Sequence, residues 1–547
     1  MARMSQRLWI AVLLGAIALW FLPLQTYHLF NPDEGRYAEI PREMVASGDW
    51  VTPRLDSLKY FEKPPLQYWV TAAAYEVLGQ HEWTARLWVG LSGFLGLLLT
   101  AWIGTRLYGP MSGALAALVQ AGSLLYLALA RVSTLDMGLT FTLELALAGL
   151  LLLARPAPSE QRTSTRNAAL LLAVGVALAF LSKGLVGILI PASVAAIYML
   201  LRRDWSLPWR ARPWWTLAML ALLAAPWLWL VEQRNPGFAQ FFFVHEQFDR
   251  FLTRVHHRYQ PDWYFIPVLL GGFMPWTPLL PAITRRCWLD IRAGDGAALL
   301  LATWVVFAFA FFSFSQSKLI PYILPIFPAL ALLAGRTLES LERVKIRRVL
   351  GSAAAIGIVL TAVAMALWFR PTLVKGFVIP PGATLQLFVV SILLASLLTV
   401  AGASVVMRRG PLPATALAAL ATVLLVGILL PAAGQLPRQR ELQNLVAAAS
   451  PQLHPASKVY CVDAYEQSVA FYLKHTCTLV GYRGELDFGL GQEPEKWIAD
   501  LAAFSSRWRM ETDALALIRP ESYVELQRMG LPMRVIYTAP TLVAVVR

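Results

Sequence analysis

The apolar run LWIAVLLGAIALWFLPL, Leu8–Leu24, is followed by the charged segment NPDEGRYAEIPRE, Asn31–Glu43. The run is long enough to cross a bilayer as a helix. The segment places four acids and two arginines in one loop of a chain that is otherwise mostly apolar. Because charge close to hydrocarbon is costly and usually functional, we predict a functional site in this loop. A solvated loop whose charges have no role is the alternative.

The composition of the whole chain indicates an integral membrane protein. The 547 residues are 57% hydrophobic and 15% charged, whereas soluble domains carry about 25% charged residues. Apolar runs of about 20 residues favour spanning helices over barrel strands. Much of the net charge of +14 lies in short loops between these runs. Such a distribution indicates membrane topology and contacts with anionic lipid, and it does not indicate nucleic-acid binding.

Hydropathy predicts an α-helical polytopic membrane protein with about 13 transmembrane helices. The first run has no small-residue cleavage site after it, so we expect it to be retained. The predicted spans are Leu8–Leu24, Trp83–Leu107, Met111–Ala130, Val132–Ala154, Ala168–Leu181, Leu185–Leu201, Trp214–Val231, Tyr264–Ile283, Ala297–Phe314, Leu319–Ala334, Leu350–Phe369, Leu385–Met407 and Ala414–Ala433.

The distribution of lysine and arginine predicts the orientation of the chain. With the N-terminus in the cytoplasm, most basic residues of the short loops fall on the cytoplasmic side. The long polar loops near 27–82 and 232–263 then lie on the outer face. We predict a transmembrane domain at 1–434 and a soluble α/β domain at 435–547, which is long enough to bury its own core.

Sequence patterns predict strands and a helix in this C-terminal domain. Cys461 would lie in one strand and Cys477 at the start of the next. The two could form a disulfide on the oxidising outer side if their side chains share a face of the sheet, and two buried thiols are the alternative. The predicted strands are Lys458–Val462, Thr476–Val480, Ala514–Ile518 and Thr541–Val546, and the predicted helix is Glu466–Leu473.

Acidic residues near the outer ends of two spans are the candidates for catalysis. Asp33 and Glu34 follow the first span, and Asp136 lies near the outer end of the fourth. Carboxylates at these places could approach each other across a helix bundle, where one organises or deprotonates a nucleophile and the other positions it. For Asp136, a helix cap or an ion pair with Arg131 is the alternative.

Basic residues on the same face suit a lipid phosphate, since arginine forks and lysine point charges bind phosphate. Each could instead be a surface charge or the partner of a carboxylate. Glu62 and His245 could hold a divalent metal ion, although no motif with ligand spacing is present and hydrogen-bonded loop histidines are the alternative. The basic group consists of Arg36, Lys63, Arg250, Arg254, Arg258 and Lys318.

Three segments of the first loop resemble the lipid A 4-amino-4-deoxy-L-arabinose transferases, which belong to the GT-C class and are related to protein O-mannosyltransferases. The resemblance covers nearly the whole chain, but the region around His245 departs somewhat from the family's pattern. The first-loop segments are Pro32–Ile40, Ala46–Trp50 and Tyr60–Pro64, and shorter similar segments are Ser182–Gly184, Ser317–Leu319, Tyr322–Leu324 and Tyr482–Leu486.

The resemblance implies a pentosyltransferase that moves aminoarabinose from undecaprenyl phosphate to a phosphate of lipid A, at the periplasmic face of the bacterial inner membrane. The added positive charge implies resistance to polymyxin and other cationic antimicrobial peptides. Because the acceptor is already a phosphate oxygen, positioning of two anions matters more than a strong base. Catalysis is then expected from Asp33, Asp136 and Glu34. Substrate binding is expected at Arg36, Tyr37, Tyr60, Lys63, Arg250, Arg258, Lys318, Tyr322 and Glu485.

The expected partners are the lipid-linked donor, the lipid A acceptor and membrane lipids, with no nucleic acid. The expected state is a monomer that requires no cofactor, apart from a possible divalent metal ion. Two other interpretations remain. A related GT-C enzyme could glycosylate proteins or other acceptors. A transporter or flippase would predict inverted repeats and charges at the bilayer midplane, whereas the charges here gather at one face.

Overall fold

The structure, a computed structural model, describes residues 6–154, 162–249, 259–369 and 382–547. The chain divides into two compact units, and each is described by itself. The membrane unit consists of Met1–Thr26, Lys63–Gln67 and Trp88–Ala433, and the α/β unit consists of Tyr27–Glu62, Tyr68–Leu87 and Gly434–Arg547.

The membrane unit is built from apolar helices, because a helix satisfies its own backbone hydrogen bonds in lipid. Within the described residues, nine helices are long and apolar enough to cross a membrane, and a bent pair and three shorter apolar helices accompany them. A helix lies at each predicted span, which confirms the polytopic fold. The α-helices are Gln6–Phe21, Leu87–Tyr108, Pro110–Ala121, Leu124–Leu129, Leu135–Ala154, Arg162–Lys183, Val186–Arg202, Leu207–Ala211, Pro213–Leu223, Ala225–Arg234, Phe265–Gly272, Leu280–Arg292, Gly296–Phe314, Phe327–Ser340, Arg343–Phe369, Gly382–Arg409 and Pro411–Ala433.

The span predicted at Tyr264–Ile283 is a bent pair of helical parts in the structure. Its two parts, Asp262–Gly272 and Thr277–Arg292, are bent by 105°. Pro275 and Pro278 stand at the break, where proline removes a backbone donor and clashes with the preceding turn. The span predicted over residues 111–130 is likewise divided, since its first helix ends at position 121 and the next begins at 124.

The helices Leu135–Ala154 and Arg162–Lys183 pack closely and run antiparallel. A Cβ atom on Gly149 would lie 2.6 Å from the backbone nitrogen of Leu172, and one on Gly175 would lie 2.5 Å from that of Ala146. Small residues let helix backbones approach in this way. The start of the first helix and the end of the second are therefore neighbours.

The C-terminal part of the α/β unit is a six-stranded mixed sheet with helices around it, which confirms the predicted α/β class. The strands are β3 Lys458–Val462, β4 Cys477–Val480, β5 Trp497–Ile498, β6 Ala514–Ile518, β7 Arg534–Thr538 and β8 Val543–Val546, and the helices are Pro437–Ala449, Val469–Leu473, Asp487–Gln492, Leu501–Met510 and Pro520–Arg528. The strand order in the sheet is β5-β4-β3-β6-β8-β7, where β3, β4, β5 and β6 are parallel and β8 is antiparallel to β6 and β7.

The first loop, for which the sequence predicted a functional site without a secondary structure, is ordered and largely helical. It contains the helices Asp33–Ser47 and Leu66–Leu78 and a hairpin of β1, Arg54–Leu55, and β2, Leu58–Lys59. Acids in the first turn favour the first helix through its dipole, and Gly48, with a φ of 70°, ends it in the left-handed conformation. Positions 34 to 44 are all buried. These charges therefore face protein and need partners.

Cys461 and Cys477 form a disulfide, which decides between the two alternatives left by the sequence. In the parallel pair β3–β4, Val459 lies opposite Cys477, so Cys461 is two residues farther on the same face. The Cα atoms of the two cysteines are 5.9 Å apart, within the range that a disulfide can bridge.

Thiol labelling of the denatured protein, prepared without reductant, is expected to modify Cys287 alone. The other two cysteines, 16 residues apart in sequence, close a loop whose bond contributes about 3 kcal/mol in the chain-entropy model. Labelling after reduction is the control and should modify three cysteines. Three labelled cysteines without reduction would contradict the bond.

Candidate active site

Glu34 is fully buried and forms a bidentate ion pair with Arg86, at 2.8 Å from Nε to Oε1 and 2.9 Å from Nη2 to Oε2. Arg86 also donates to the carbonyl of Tyr27 at 2.8 Å, and the backbone N–H of Phe30 donates to Glu34 at 2.9 Å. Both carboxylate oxygens are engaged. These contacts anchor the start of the helix Asp33–Ser47, and they lend no support to the predicted catalytic role of Glu34.

Arg86→Ala is expected to destabilise the protein strongly, because the buried carboxylate of Glu34 loses its counter-charge. Breaking a buried ion pair from one side costs about 3–5 kcal/mol. The measurement is thermal unfolding of the purified protein in detergent. The control is Arg438→Ala, since the Arg438 side chain is 74% exposed and its ion pair with Glu466 should contribute little. Equal shifts for the two variants would argue against the anchoring role.

Arg36 lies on the same helix and is also buried. Its guanidinium forms an ion pair with Glu485 and reaches Asp33 at 3.4 Å. Its Cζ lies 5.8 Å from the ring centre of Tyr37 and 6.0 Å from that of Tyr60. Burial lowers the pKa of Arg36, but Tyr60 and Glu485 raise it, and the net shift is upward. Its Nε has no hydrogen-bond partner among the described residues, so a charged donor remains available.

Two buried tyrosine hydroxyls near Arg36 are also unsatisfied. Those of Tyr60 and Tyr68 have no hydrogen-bond partner in the part of the chain that the structure describes, and Tyr68 stacks on Tyr37 with ring centres 6.3 Å apart. Asp33 exposes 47% of its side chain. Buried polar atoms without partners are costly unless a ligand satisfies them. We therefore expect a polar or anionic ligand at this Arg36 cluster, which consists of Asp33, Arg36, Tyr37, Tyr60, Tyr68 and Glu485.

Sequence reasoning found five members of the Arg36 cluster and missed Tyr68. That residue lies in the apolar helix Leu66–Leu78, where a tyrosine gives no sign of function. The motif Tyr60–Pro64 ends just before this helix, and proximity to that motif was the available signal. The structure thus brings together, within the α/β unit, residues from the first loop and from the C-terminal domain.

A second buried group of charges in the same unit consists of Glu39, Arg42, Glu43 and Asp56. Arg42 donates to both oxygens of Glu39 at 2.6 Å. Asp56 accepts hydrogen bonds from the Tyr465 hydroxyl at 2.5 Å and from the Cys477 backbone N–H at 2.6 Å. Burial and the charge of Glu39 raise the pKa of Asp56 to about 7. Burial likewise raises the pKa of Glu39 and of Glu43.

The protein is expected to lose stability as the pH rises from about 5 to 8. Folded Asp56 keeps its proton up to a pH of about 7, whereas the unfolded chain releases it near a pH of about 4. Asp56→Asn should weaken this dependence, since the amide stays neutral and still accepts from Cys477. The measurement is the unfolding midpoint at both ends of the range, with Asp487→Asn, at an exposed side chain, as control. An undiminished dependence in Asp56→Asn would contradict the assignment.

In the membrane unit, Asp136 forms an ion pair with Lys183, at 2.5 Å from Oδ1 to Nζ. Lys183 Nζ also lies 4.2 Å from the ring centre of Tyr322. Arg131, the partner considered from the sequence, donates to the carbonyls of Leu19 and Val423 at 3.1 and 3.5 Å. Lys183 therefore contacts two predicted site residues, Asp136 and Tyr322. Lys183 was not itself predicted as a site residue, although it lies in Ser182–Gly184, a segment that resembles the family.

Two lysines of the membrane unit that were predicted to bind phosphate are buried beside acidic residues. Each is thus the partner of a carboxylate, which is one of the alternatives that the sequence left open. Lys63 Nζ lies 3.0 Å from Glu246. Lys318 Nζ donates to the carbonyl of Gln260 at 2.8 Å and lies 3.4 Å from Asp262. A buried lysine needs such partners to remain charged. Both lysines therefore remain candidates for holding a phosphate.

The remaining predicted residues are Glu62, His245, Arg250 and Arg258. The charge of Glu62 is one of those that raise the pKa of Arg36, so Glu62 belongs to the surroundings of the Arg36 cluster. Arg250 and Arg258 lie outside the described residues. His245 is in the π-helix Gln240–Asp249 of the membrane unit and stacks on Phe241, with ring centres 5.4 Å apart, while Glu62 belongs to the α/β unit. Among the described residues, no group of three or more His, Cys, Asp or Glu side chains could hold a metal ion. A divalent metal at Glu62 and His245 stays a prediction.

The polytopic helices, the C-terminal α/β domain and the charged clusters define a membrane glycosyltransferase of the GT-C class. The family model of dolichyl-phosphate-mannose-protein mannosyltransferases matches residues 7–242, and that of the aminoarabinose transferase C-terminal domain matches residues 445–547. The chain belongs to the family of undecaprenyl phosphate-alpha-4-amino-4-deoxy-L-arabinose arabinosyl transferases. It is 31% identical to the one from Pseudomonas aeruginosa (strain LESB58) over 96% of both chains. It is 30% identical to that from Edwardsiella ictaluri (strain 93-146), over 88% of this chain and 87% of the relative.

Solved structures of the same family agree with this assignment. The crystal structure of ArnT from Cupriavidus metallidurans bound to undecaprenyl phosphate is 33% identical, with a TM-score of 0.91 over 99% of this chain and 98% of that one. The apo structure of the same protein is 34% identical, with a TM-score of 0.88 over 98% and 97% of the two chains. The family predicted from the first-loop motifs is confirmed.

Proposed function

We propose that this chain transfers 4-amino-4-deoxy-L-arabinose from undecaprenyl phosphate to a phosphate of lipid A. The observation that carries the proposal is the likeness, along 99% of the chain, to a structure bound to undecaprenyl phosphate. The names of the relatives state the same sugar and the same lipid carrier. Lipid A as acceptor follows from the resemblance of the first loop. The added amino group would offset phosphate charge and so weaken the binding of polymyxin.

The charged clusters support a division of roles. Because the acceptor phosphate oxygen is already nucleophilic, the enzyme has to position two anions and a sugar. Asp33, the accessible carboxylate of the Arg36 cluster, and Asp136, which Lys183 holds in place, would each bind the ammonium group of the sugar or steer the acceptor. Arg36 and Lys63 would each supply positive charge to a phosphate. Lys318, Arg250 and Arg258 are further candidates for that role.

The proposal includes an orientation in the inner membrane. The N-terminus would be cytoplasmic, and the loops near 27–82 and 232–263 and the C-terminal domain would be periplasmic. The concentration of basic residues in the short loops supports this orientation. The disulfide between Cys461 and Cys477 supports an oxidising compartment for the C-terminal domain. We propose a monomer as the functional state.

Asp33→Asn should abolish the modification of lipid A while the protein still inserts and purifies normally, because the amide keeps the shape of the carboxylate and loses its charge. The measurement is mass spectrometry of lipid A from a deletion strain that carries the parent gene, the variant or an empty vector. Asp487→Asn is the matched control and should behave as the parent does. Modified lipid A in the Asp33→Asn strain would remove Asp33 from the mechanism.

The same strains test the acceptor. A protein acceptor is the second candidate, which the match of the protein mannosyltransferase model to residues 7–242 favours. Aminoarabinose on lipid A only in strains with an active gene would support the proposed function. Unmodified lipid A with the parent gene, together with a glycosylated membrane protein, would support the second candidate instead.

A further inference from the structure

A groove apart from the Arg36 cluster crosses the α/β unit near the start of β3 and β4. Two adjoining cavities of about 670 and 530 Å³ form it, and each has the size of a pocket for a small molecule, about 300–1,000 Å³. Tyr460 pairs with Thr478 across the two strands. The side chains of Tyr460 and Thr478 therefore share one face of the sheet with those of Lys458 and Thr476, which lie two positions earlier in the chain. The residues common to both cavities are Ser57, Lys458, Thr476, Thr478 and Lys496. We call this feature the β3–β4 groove.

One side of the groove has two cations for one carboxylate. Arg54 Nη1 and Lys496 Nζ lie 3.0 and 2.9 Å from Glu493. Both also donate to the carbonyl of Ser57, at 2.6 and 3.0 Å. Because the carboxylate carries one negative charge, this trio keeps a net positive charge. Either cation can be removed and Glu493 still has a partner.

The other side repeats this arrangement. Lys458 Nζ and Arg507 Nε lie 3.0 and 3.1 Å from Glu511. Lys474 is exposed and has no ion-pair partner among the residues that the structure describes. Glu43 and Glu495 also line the groove, but positive charges still outnumber negative ones along it. A concave surface with an excess of one sign attracts ligands of the opposite sign.

The lining between the cations suits a sugar. Thr476 and Thr478 present hydroxyl groups, and Trp497 presents an aromatic ring. The indole N–H of Trp497 is buried and has no hydrogen-bond partner in the described part of the chain. A buried donor of this kind is satisfied when a ligand supplies an oxygen atom. Hydroxyls, an aromatic ring and a positive field together match a charged saccharide.

We propose that the β3–β4 groove binds an anionic oligosaccharide, bearing phosphate or carboxylate groups, that is attached to the lipid acceptor. This inference rests on the proposed function, which makes the acceptor a phosphorylated glycolipid. The groove holds the sugar chain of the acceptor and takes no part in the bond-making step. Its effect is therefore a lower KM for acceptors that carry such a chain.

The test uses the full-length protein in detergent with the triple substitution Lys458→Gln, Lys474→Gln and Lys496→Gln. This variant removes three positive charges and leaves each carboxylate of the two trios with its arginine partner, so that neither loses its last counter-charge. The matched control is Arg528→Gln, which removes an exposed charge from the helix Pro520–Arg528 of the same unit.

The binding probe is the deacylated, phosphorylated oligosaccharide released from lipopolysaccharide, and the measurement is titration calorimetry. The parent and Arg528→Gln should bind it equally, and the triple variant about tenfold more weakly. Added salt should weaken binding by the parent. Equal binding by the triple variant would overturn the proposal. The proposal would also be overturned if the triple variant lost binding to phosphatidylglycerol vesicles but bound the oligosaccharide as the parent does. That result would assign the groove to a lipid headgroup.

Turnover separates this inference from the proposed function. With an acceptor that carries the oligosaccharide, the triple variant should have a higher KM than the parent and the same kcat. With bare lipid A, both KM and kcat of the triple variant should match those of the parent. Unchanged KM for both acceptors would refute the role of the groove. A parent protein that modifies neither acceptor would instead refute the proposed function, while the binding experiment would still decide on the groove.

Discussion

The buried ion pair between Glu34 and Arg86 is the interaction on which the Arg36 cluster depends. Two charges removed from water are stable only while they hold each other, so this pair fixes the start of the helix Asp33–Ser47. Asp33 and Arg36 lie in the first turn of that helix. The positions of Asp33 and Arg36 are therefore set by Glu34, whose two carboxylate oxygens are already engaged with protein. Asp33 and Glu34 are adjacent and carry the same charge, but they have different roles. Glu34 anchors the helix, and Asp33 lies at an accessible surface.

The sequence predicted the membrane helices well, because the bilayer allows few alternatives to an apolar helix of about 20 residues. It also located the concentration of charge in the first loop. It did not show that this loop is helical, since the buried face of the helix Asp33–Ser47 carries charges and not the apolar residues that reveal an amphipathic helix. The bend at Pro275 was visible as a proline, but its angle depends on tertiary packing.

The partners of the charged residues were the least predictable part of the site. Asp136 pairs with Lys183, and Lys63 pairs with Glu246. The members of each pair are far apart in sequence and meet only because the helices pack. In the C-terminal domain the buried strands β3 and β6 were predicted with their observed bounds, whereas β5 has two residues and therefore almost no pattern. The disulfide could not be decided before the register of β3 and β4 was known.

The α/β unit keeps positive charge available in two physically different ways. In the Arg36 cluster a buried guanidinium Nε and two buried hydroxyls find no hydrogen-bond partner among the described residues. A ligand there gains directional hydrogen bonds without having to displace any of these residues. In the β3–β4 groove the cations are more accessible and share carboxylates, so attraction is weaker, acts over a longer distance and is screened by salt. The first arrangement suits a reacting phosphate, which must be held in one position. The second suits a sugar chain, which must be guided to the enzyme and released after transfer.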